Sequence, residues 1–105
     1  MYQGTTPAVL LTIEDYDLTN MTVYVTFKTK TGANVTKTGN ELQILGSNIL
    51  VSLNQSETLS LDQGPCWVQV RFIDSEGNAW ATEKAMITIY DVLNKDIINY
   101  ISSRG

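Results

Sequence analysis

Three carboxylates fall within the run Glu14-Asp15-Tyr16-Asp17, and hard cations such as calcium take oxygen ligands. This is the first place where the chain could do chemistry. The run lacks the alternating spacing of a calcium-binding loop, so it reads equally as a solvated acidic loop between two strands. Asp62, Asp74, Glu76 and Glu83 are the next carboxylates to weigh. Glycoside hydrolysis needs two such groups at a fixed separation. It also needs a shaped cleft, which a sandwich of this size seldom builds. Asp74 and Glu76 lie in an apparent hairpin loop, where charge is ordinary.

Large aromatics are the other chemistry-bearing group. Trp67, Trp80, Tyr24 and Tyr90 could together form a face for sugar or protein, since aromatics outside a core anchor interfaces. If Cys66, Val68 and Val70 face inward, Trp67 points outward with Gln69 and Arg71. Trp67 is either such an anchor or a core residue. Trp80 shares its face with Thr82, Lys84 and Met86 in a simple alternation, or else belongs to the inner face of the second sheet. Cys66 is the chain's single cysteine. It sits on the apolar face with no basic neighbour in sequence, which is the setting of a buried and inert thiol.

Several function classes lose their usual tools. There is no histidine, so Ser-His-Asp and Cys-His catalysis are excluded and the commonest metal ligand is missing. A single cysteine excludes an internal disulfide and a zinc cluster. Seven cationic residues against eleven acidic ones leave a net charge of −4, which argues against a broad phosphate-binding surface. No apolar run approaches the ~18 residues of a membrane span, and the first residues, MYQGTTPAVL, contain no basic region of a signal peptide. The expectation is a chain with no export signal, no anchor, no metal and no cofactor. The three N-x-S/T triplets, at Asn20, Asn34 and Asn54, then carry no glycan and mark turns and strand starts. Gly32, Gly39, Gly46 and Gly77 serve turns and form no phosphate loop.

The elements that must position these residues are strands. The 105 residues are 43% hydrophobic and 17% charged, the make-up of one folded domain. In MTVYVTFKT, residues 21–29, Met21, Val23, Val25 and Phe27 fall on one face and Thr22, Tyr24, Thr26 and Lys28 on the other. That period of two defines a half-buried strand. Val9, Leu11 and Ile13 repeat it after Pro7, as do Ile49, Val51 and Leu53. Residues 66–73 form the clearest core strand, with Cys66, Val68, Val70 and Phe72 inward. The polar stretch 34–38 reads as an edge strand. Residues 54–61 break the alternation, and a short helical turn capped by Ser56 is expected there. Residues 74–78 make a hairpin loop, and 79–90 form its partner strand, long enough to bend or change sheets.

At residues 91–101 the period changes. Leu93, Ile97 and Tyr100 or Ile101 recur at three and four residues, the pattern of an amphipathic helix capped by Asp91. Residues 102–105 should fray. The expected fold is therefore all-β: an antiparallel immunoglobulin-like sandwich over residues 1–90, with a short C-terminal helix and frayed tail over 91–105 in the same single domain. The helix stripe, with Trp67, supplies the candidate interface residues: Trp67, Leu93, Ile97, Tyr100 and Ile101. No catalytic, cofactor or metal residue is assigned.

The opening Tyr2-Gln3-Gly4-Thr5-Thr6-Pro7, the segment Ser56-Glu57-Thr58-Leu59, the strand Val68-Gln69-Val70-Arg71-Phe72 with its Gly77 turn, and the closing stretch 87–98 together resemble a family of small proteins. These come from tail gene clusters of phages and prophages of Gram-positive gut bacteria. The order and spacing of the motifs carry the resemblance over nearly the whole chain. It departs at Glu14-Asp15-Tyr16-Asp17, where a Pro-Phe-Asp type of turn is expected, and in a longer hairpin around Gly32. The resemblance implies an immunoglobulin-like sandwich with a non-enzymatic role in the virion or in tail and baseplate assembly. Its partners would be other tail or virion proteins or a second copy of itself as a homo-oligomer, with no nucleic acid and no membrane. Its place would be the bacterial host cytoplasm during assembly, then the virion. The alternative is a binding module for glycan or protein that uses an exposed aromatic face.

Overall fold

A computed structural model describes residues 1–100 of the chain. Eight strands run in the order β1 (Ala8–Thr12), β2 (Thr22–Thr29), β3 (Asn34–Thr38), β4 (Leu42–Leu45), β5 (Asn48–Ser52), β6 (Gly64–Ile73), β7 (Ala79–Ala81) and β8 (Ala85–Ile89). A 3₁₀ turn, Gly39–Glu41, precedes β4, and one short helix, α1 (Gln55–Ser60), joins β5 to β6. Two antiparallel sheets result. One has the order β1-β5-β4; the other has β3-β2-β6, with β7 and β8 sharing the far side of β6. The chain is thus an all-β protein of two packed sheets.

Alternation explains the packing. Val23, Val25 and Phe27 of β2 and Cys66, Val68, Val70 and Phe72 of β6 are buried between the sheets, against Ile49 and Val51 of β5 and Leu42 of β4. β2 and β6 pair over their whole shared length, from Thr22 opposite Ile73 to Thr29 opposite Cys66. Each such side chain contributes roughly 1.5–3 kcal/mol by leaving water. Val9 and Leu11, expected in the same core, are only half-buried. They lie on β1, an edge strand covered from one side. Leu18 is fully buried although it belongs to no strand. Its N–H donates to Gly46 O at 2.9 Å, which straps the β1–β2 loop to the β4–β5 turn.

The strand after the 74–78 loop does not change sheets. It bulges. Arg71 pairs with Ala81 and Val68 with Ala85, so three steps on β6 face four on its partner. The extra residue lies in the stretch 82–84, where the Thr82 hydroxyl accepts from Val70 N at 3.1 Å and Thr82 N donates to Val70 O at 2.9 Å. A bulge of this kind inverts the alternation beyond it. The shared face expected for Trp80, Thr82, Lys84 and Met86 is therefore corrected. Trp80 pairs with inward-facing Phe72, whereas Met86 pairs with Trp67 on the outer face.

Two further expectations are corrected. The cap of α1 is Asn54, not Ser56: the Asn54 side chain accepts from Glu57 N at 2.8 Å, and Glu57 Oε1 accepts from Asn54 N at 2.9 Å. This reciprocal pair is a capping box. Residues 91–100 also contain no helix. The segment is an arm that leaves β8 and passes α1, where the Gln55 amide donates to Ile98 O at 2.7 Å and accepts from Ile98 N at 2.8 Å. The reason is local. A helix of about eleven residues is marginal without a docking groove, and the space between the sheets is already filled. The Asn94 side chain accepts from Asp96 N at 2.9 Å, a local turn that competes with helical hydrogen bonding. β-branched Val92, Ile97 and Ile98 weaken the helix further. Ile101 and the fraying expected at 102–105 lie outside the described residues.

Candidate functional site

Positions 24, 26 and 28 of β2 and 67, 69, 71 and 73 of β6 must face outward, because their neighbours fill the core. In register, Lys28 stands beside Trp67 and Thr26 beside Gln69, while Met86 of β8 flanks Trp67 from the opposite side. Trp67 is thus an outward residue, half-buried by what lies against it. Around it is a groove of about 380 Å³ lined by Thr26, Lys28, Thr29, Lys30, Trp67, Gln69 and Lys84. Lys84 reaches this face because the bulge has shifted the strand's phase. A second hollow of about 320 Å³ holds Tyr24 and Arg71, farther along the same sheet face.

Charge on this face is one-sided. Among the described residues, Lys37 pairs with Glu41 and Glu57, and Lys95 pairs with Asp91. Lys28, Lys30, Lys84 and Arg71 have no ion-pair partner within the described residues. All four line the two hollows of the outer face, on a chain whose net charge is −4. Asp62 stands at the rim, where it accepts hydrogen bonds from Thr31 and from Thr29.

The four expected aromatics do not make one surface. Tyr24 lies opposite Arg71 on the outer face, roughly 13 Å along β6 from Trp67 by strand rise. Tyr90 sits at the end of β8 against Tyr2, ring centroids 5.0 Å apart. Trp80 turns inward and stacks on Phe72 at 5.5 Å, with Tyr16 at 5.2 Å from Phe72 and 5.8 Å from Trp80. These three rings close one end of the core. The cationic surround of Trp67 could have been read in part, since Lys28 alternates outward with Thr26 and Tyr24. The place of Lys84 could not, because it depends on the bulge.

The carboxylates do not converge. Asp17 accepts from Thr19 N at 3.0 Å and Thr19 Oγ1 at 2.6 Å, and these bonds hold its carboxyl below the usual carboxylate range. Asp15 takes a left-handed φ of 70° in that loop. No group of three His, Cys, Asp or Glu is placed to hold a metal among the described residues. Asp62 and Asp74 lie beyond opposite ends of β6, roughly 30 Å or more apart at the rise of a strand. Asp74 accepts from Asn78 N at 2.9 Å and Glu76 N at 3.0 Å, and the Asn78 amide leads the bonds that lower its pKa. It organises the hairpin loop. Glu83, with Glu14, rims a cleft of about 450 Å³ between β1 and the β7–β8 edge, floored by Leu11, Val68 and Val70. Both side chains are exposed. Cys66 is fully buried, and burial pushes its thiol up.

No protein-family model, curated protein or solved structure matches the chain. No helix among the described residues is long and apolar enough to cross a membrane. Of the expected interface residues, Trp67 faces the groove. Leu93, Ile97 and Tyr100 lie far from it in sequence, on the arm, and Leu93 and Tyr100 are fully exposed.

Proposed function

We propose that the chain is a non-enzymatic structural or assembly component of a phage or prophage tail, working through protein–protein contacts. The observation that carries this reading is the arm. Leu93 is 103% and Tyr100 93% exposed, with Ile97 at 56% and Ile98 at 60%. Four large apolar side chains on one short segment are surface that a partner would cover. The arm is not adrift, since Gln55 holds it at Ile98 and Lys95 bonds to Gln3 and Asp91. A partner would therefore meet a partly ordered segment at reduced entropic cost.

An immunoglobulin-like layout is part of the proposal. β1, β5 and β4 stand in the order of strands B, E and D. β3, β2, β6 and the β7–β8 strand stand in the order C′, C, F and G. The parallel bridge of Tyr2 to Tyr90 adds a first strand beside the last. The chain's single cysteine leaves it without the cystine of antibody domains.

Self-association is the form to test. Sedimentation of the full chain over a wide concentration range should show reversible oligomers. A chain ending at Tyr90 should keep its β-sheet circular dichroism and sediment as a monomer. A full chain that stays monomeric at high concentration would overturn self-association. A second reading, a binding module for glycan or protein, is favoured by one observation, the outward Trp67 in its cationic groove.

A further inference from the structure

We infer that the Trp67 groove binds a carboxylated sugar chain, with the indole as stacking platform and Lys28, Lys30 and Lys84 as separate carboxylate contacts. This rests on the second reading above and deepens it; it is independent of the assembly role. Three observations lead there. The groove's lining combines an indole with hydroxyl and amide groups, Thr26 and Gln69 among them, and a ring-shaped ligand with alternating hydroxyls and C–H faces meets both. Among the described residues its lining holds three lysines and no carboxylate; Asp62 stands outside the lining, bonded to Thr29 and Thr31, and none of the three lysines has an ion-pair partner among those residues. On a chain of net charge −4, that concentration of cation favours an anionic occupant.

Position decides between anions. Lys28 approaches Trp67 from β2, with Lys30 two residues beyond it, while Lys84 approaches from the opposite flank beside β8. The three lysines are thus rooted on both flanks of the ring, two on one side and one on the other. Separate point charges suit an anion with one charge per sugar unit better than a single phosphate, which is held where donors converge. The β2–β6 and β6–β8 ladders engage the paired backbone of residues 26–29 and 66–68 beneath the groove, so that floor offers no backbone cradle for phosphate. An acidic peptide is less well served, because extended peptides gain their affinity by adding to a sheet edge and this groove lies on a face.

The probe is a short oligogalacturonate, with its methyl ester as neutral control and an oligoglutamate as acidic-peptide control. Calorimetry and tryptophan fluorescence read the binding at low and at physiological salt. The expected result is binding of the oligogalacturonate that weakens with salt, with much weaker binding of the ester. Lys28→Gln with Lys84→Gln, both exposed positions, should cost roughly tenfold in affinity with the fold intact by circular dichroism. Trp67→Ala should cost on the order of tenfold or more. Equal binding of acid and ester, untouched by the lysine changes, would overturn the charge assignment and leave a neutral glycan module standing. Binding of oligoglutamate alone would overturn the sugar and leave a protein module. No binding of any probe would overturn the inference and the binding-module reading together.

Discussion

Lys37 Nζ lies 2.6 Å from a carboxylate oxygen of Glu57, joining the edge strand β3 to the first turn of α1. Lys37 is 8% exposed, and its charge points inward from the sheet edge. Glu57 uses its other oxygen to accept from Asn54 N, so one carboxylate both caps the helix and neutralises the lysine. An inward-pointing charge of this kind also spoils an edge for pairing with another chain.

The two side chains should therefore be energetically coupled. Glu57→Gln leaves a buried ammonium with only Glu41, 3.9 Å away, as its charge partner and should cost about 2 kcal/mol in urea unfolding. Lys37→Met with Glu57→Gln should cost clearly less than the sum of the two single changes. Strict additivity would show that the pair is not coupled.

Phe72 meets both Tyr16 and Trp80, and Val70 lies near the middle of β6. Phe72→Ala should destabilise the domain by about 3–5 kcal/mol, and Val70→Ala by about 2 kcal/mol. Tyr24→Ala, on the outer face, should change stability by under about 0.5 kcal/mol. Thermal or urea melts of the three variants check the assignment of faces.

Cys66 should be silent to thiol reagents in the folded protein. Its folded pKa is raised by burial, so its contribution to stability is whole below the pKa of the unfolded thiol. That contribution is lost as pH rises through the folded value. Alkylation by iodoacetamide at mildly alkaline pH should track the unfolded fraction across a urea series. Rapid labelling without denaturant would show an open path to the thiol.

Asp74 works in the opposite direction. Its folded pKa is lowered, first by the Asn78 amide, so its contribution is present above the ordinary carboxylate pKa and disappears as pH falls through the depressed one. In Asp74→Asn, the fall in urea midpoint on acidification should be shallower than in the parent chain. Identical acid limbs would show that the loop bonds do not hold in solution.

Burial of alternate side chains is what made β2 and β6 legible: a strand with one wet face must alternate, and 21–29 and 66–73 do so without a break. The same logic turns Trp67 outward once Cys66, Val68 and Val70 face the core, although the sequence left it open between anchor and core residue; β3 was legible as an edge from its polar side chains. It could not find the bulge directly, because a single extra residue changes phase without changing composition. Ile87 and Ile89 nevertheless face inward at odd numbers where Trp80 does so at an even one, and that mismatch was the available trace. The arm misled for another reason. Spacings of three and four at Leu93, Ile97 and Tyr100 suit a helix only if a surface receives them, and spacing alone says nothing of a receptor. Leu18 joined the core through a backbone bond to Gly46, which no periodicity reports.

The break at Thr82 bears on how the molecule behaves when crowded. An uninterrupted outer strand over 79–89 would offer a continuous row of amide and carbonyl groups on which a foreign strand could zip. The kink divides that row into a three-residue and a five-residue piece, with Thr82 spending its hydroxyl and amide on Val70. Neither piece is long enough to template fibre growth. This edge should consequently not seed cross-β aggregates in concentrated solutions, which thioflavin fluorescence would read. Restoring an even alternation by deleting Glu83 should turn this side of the molecule into a nucleation site for them.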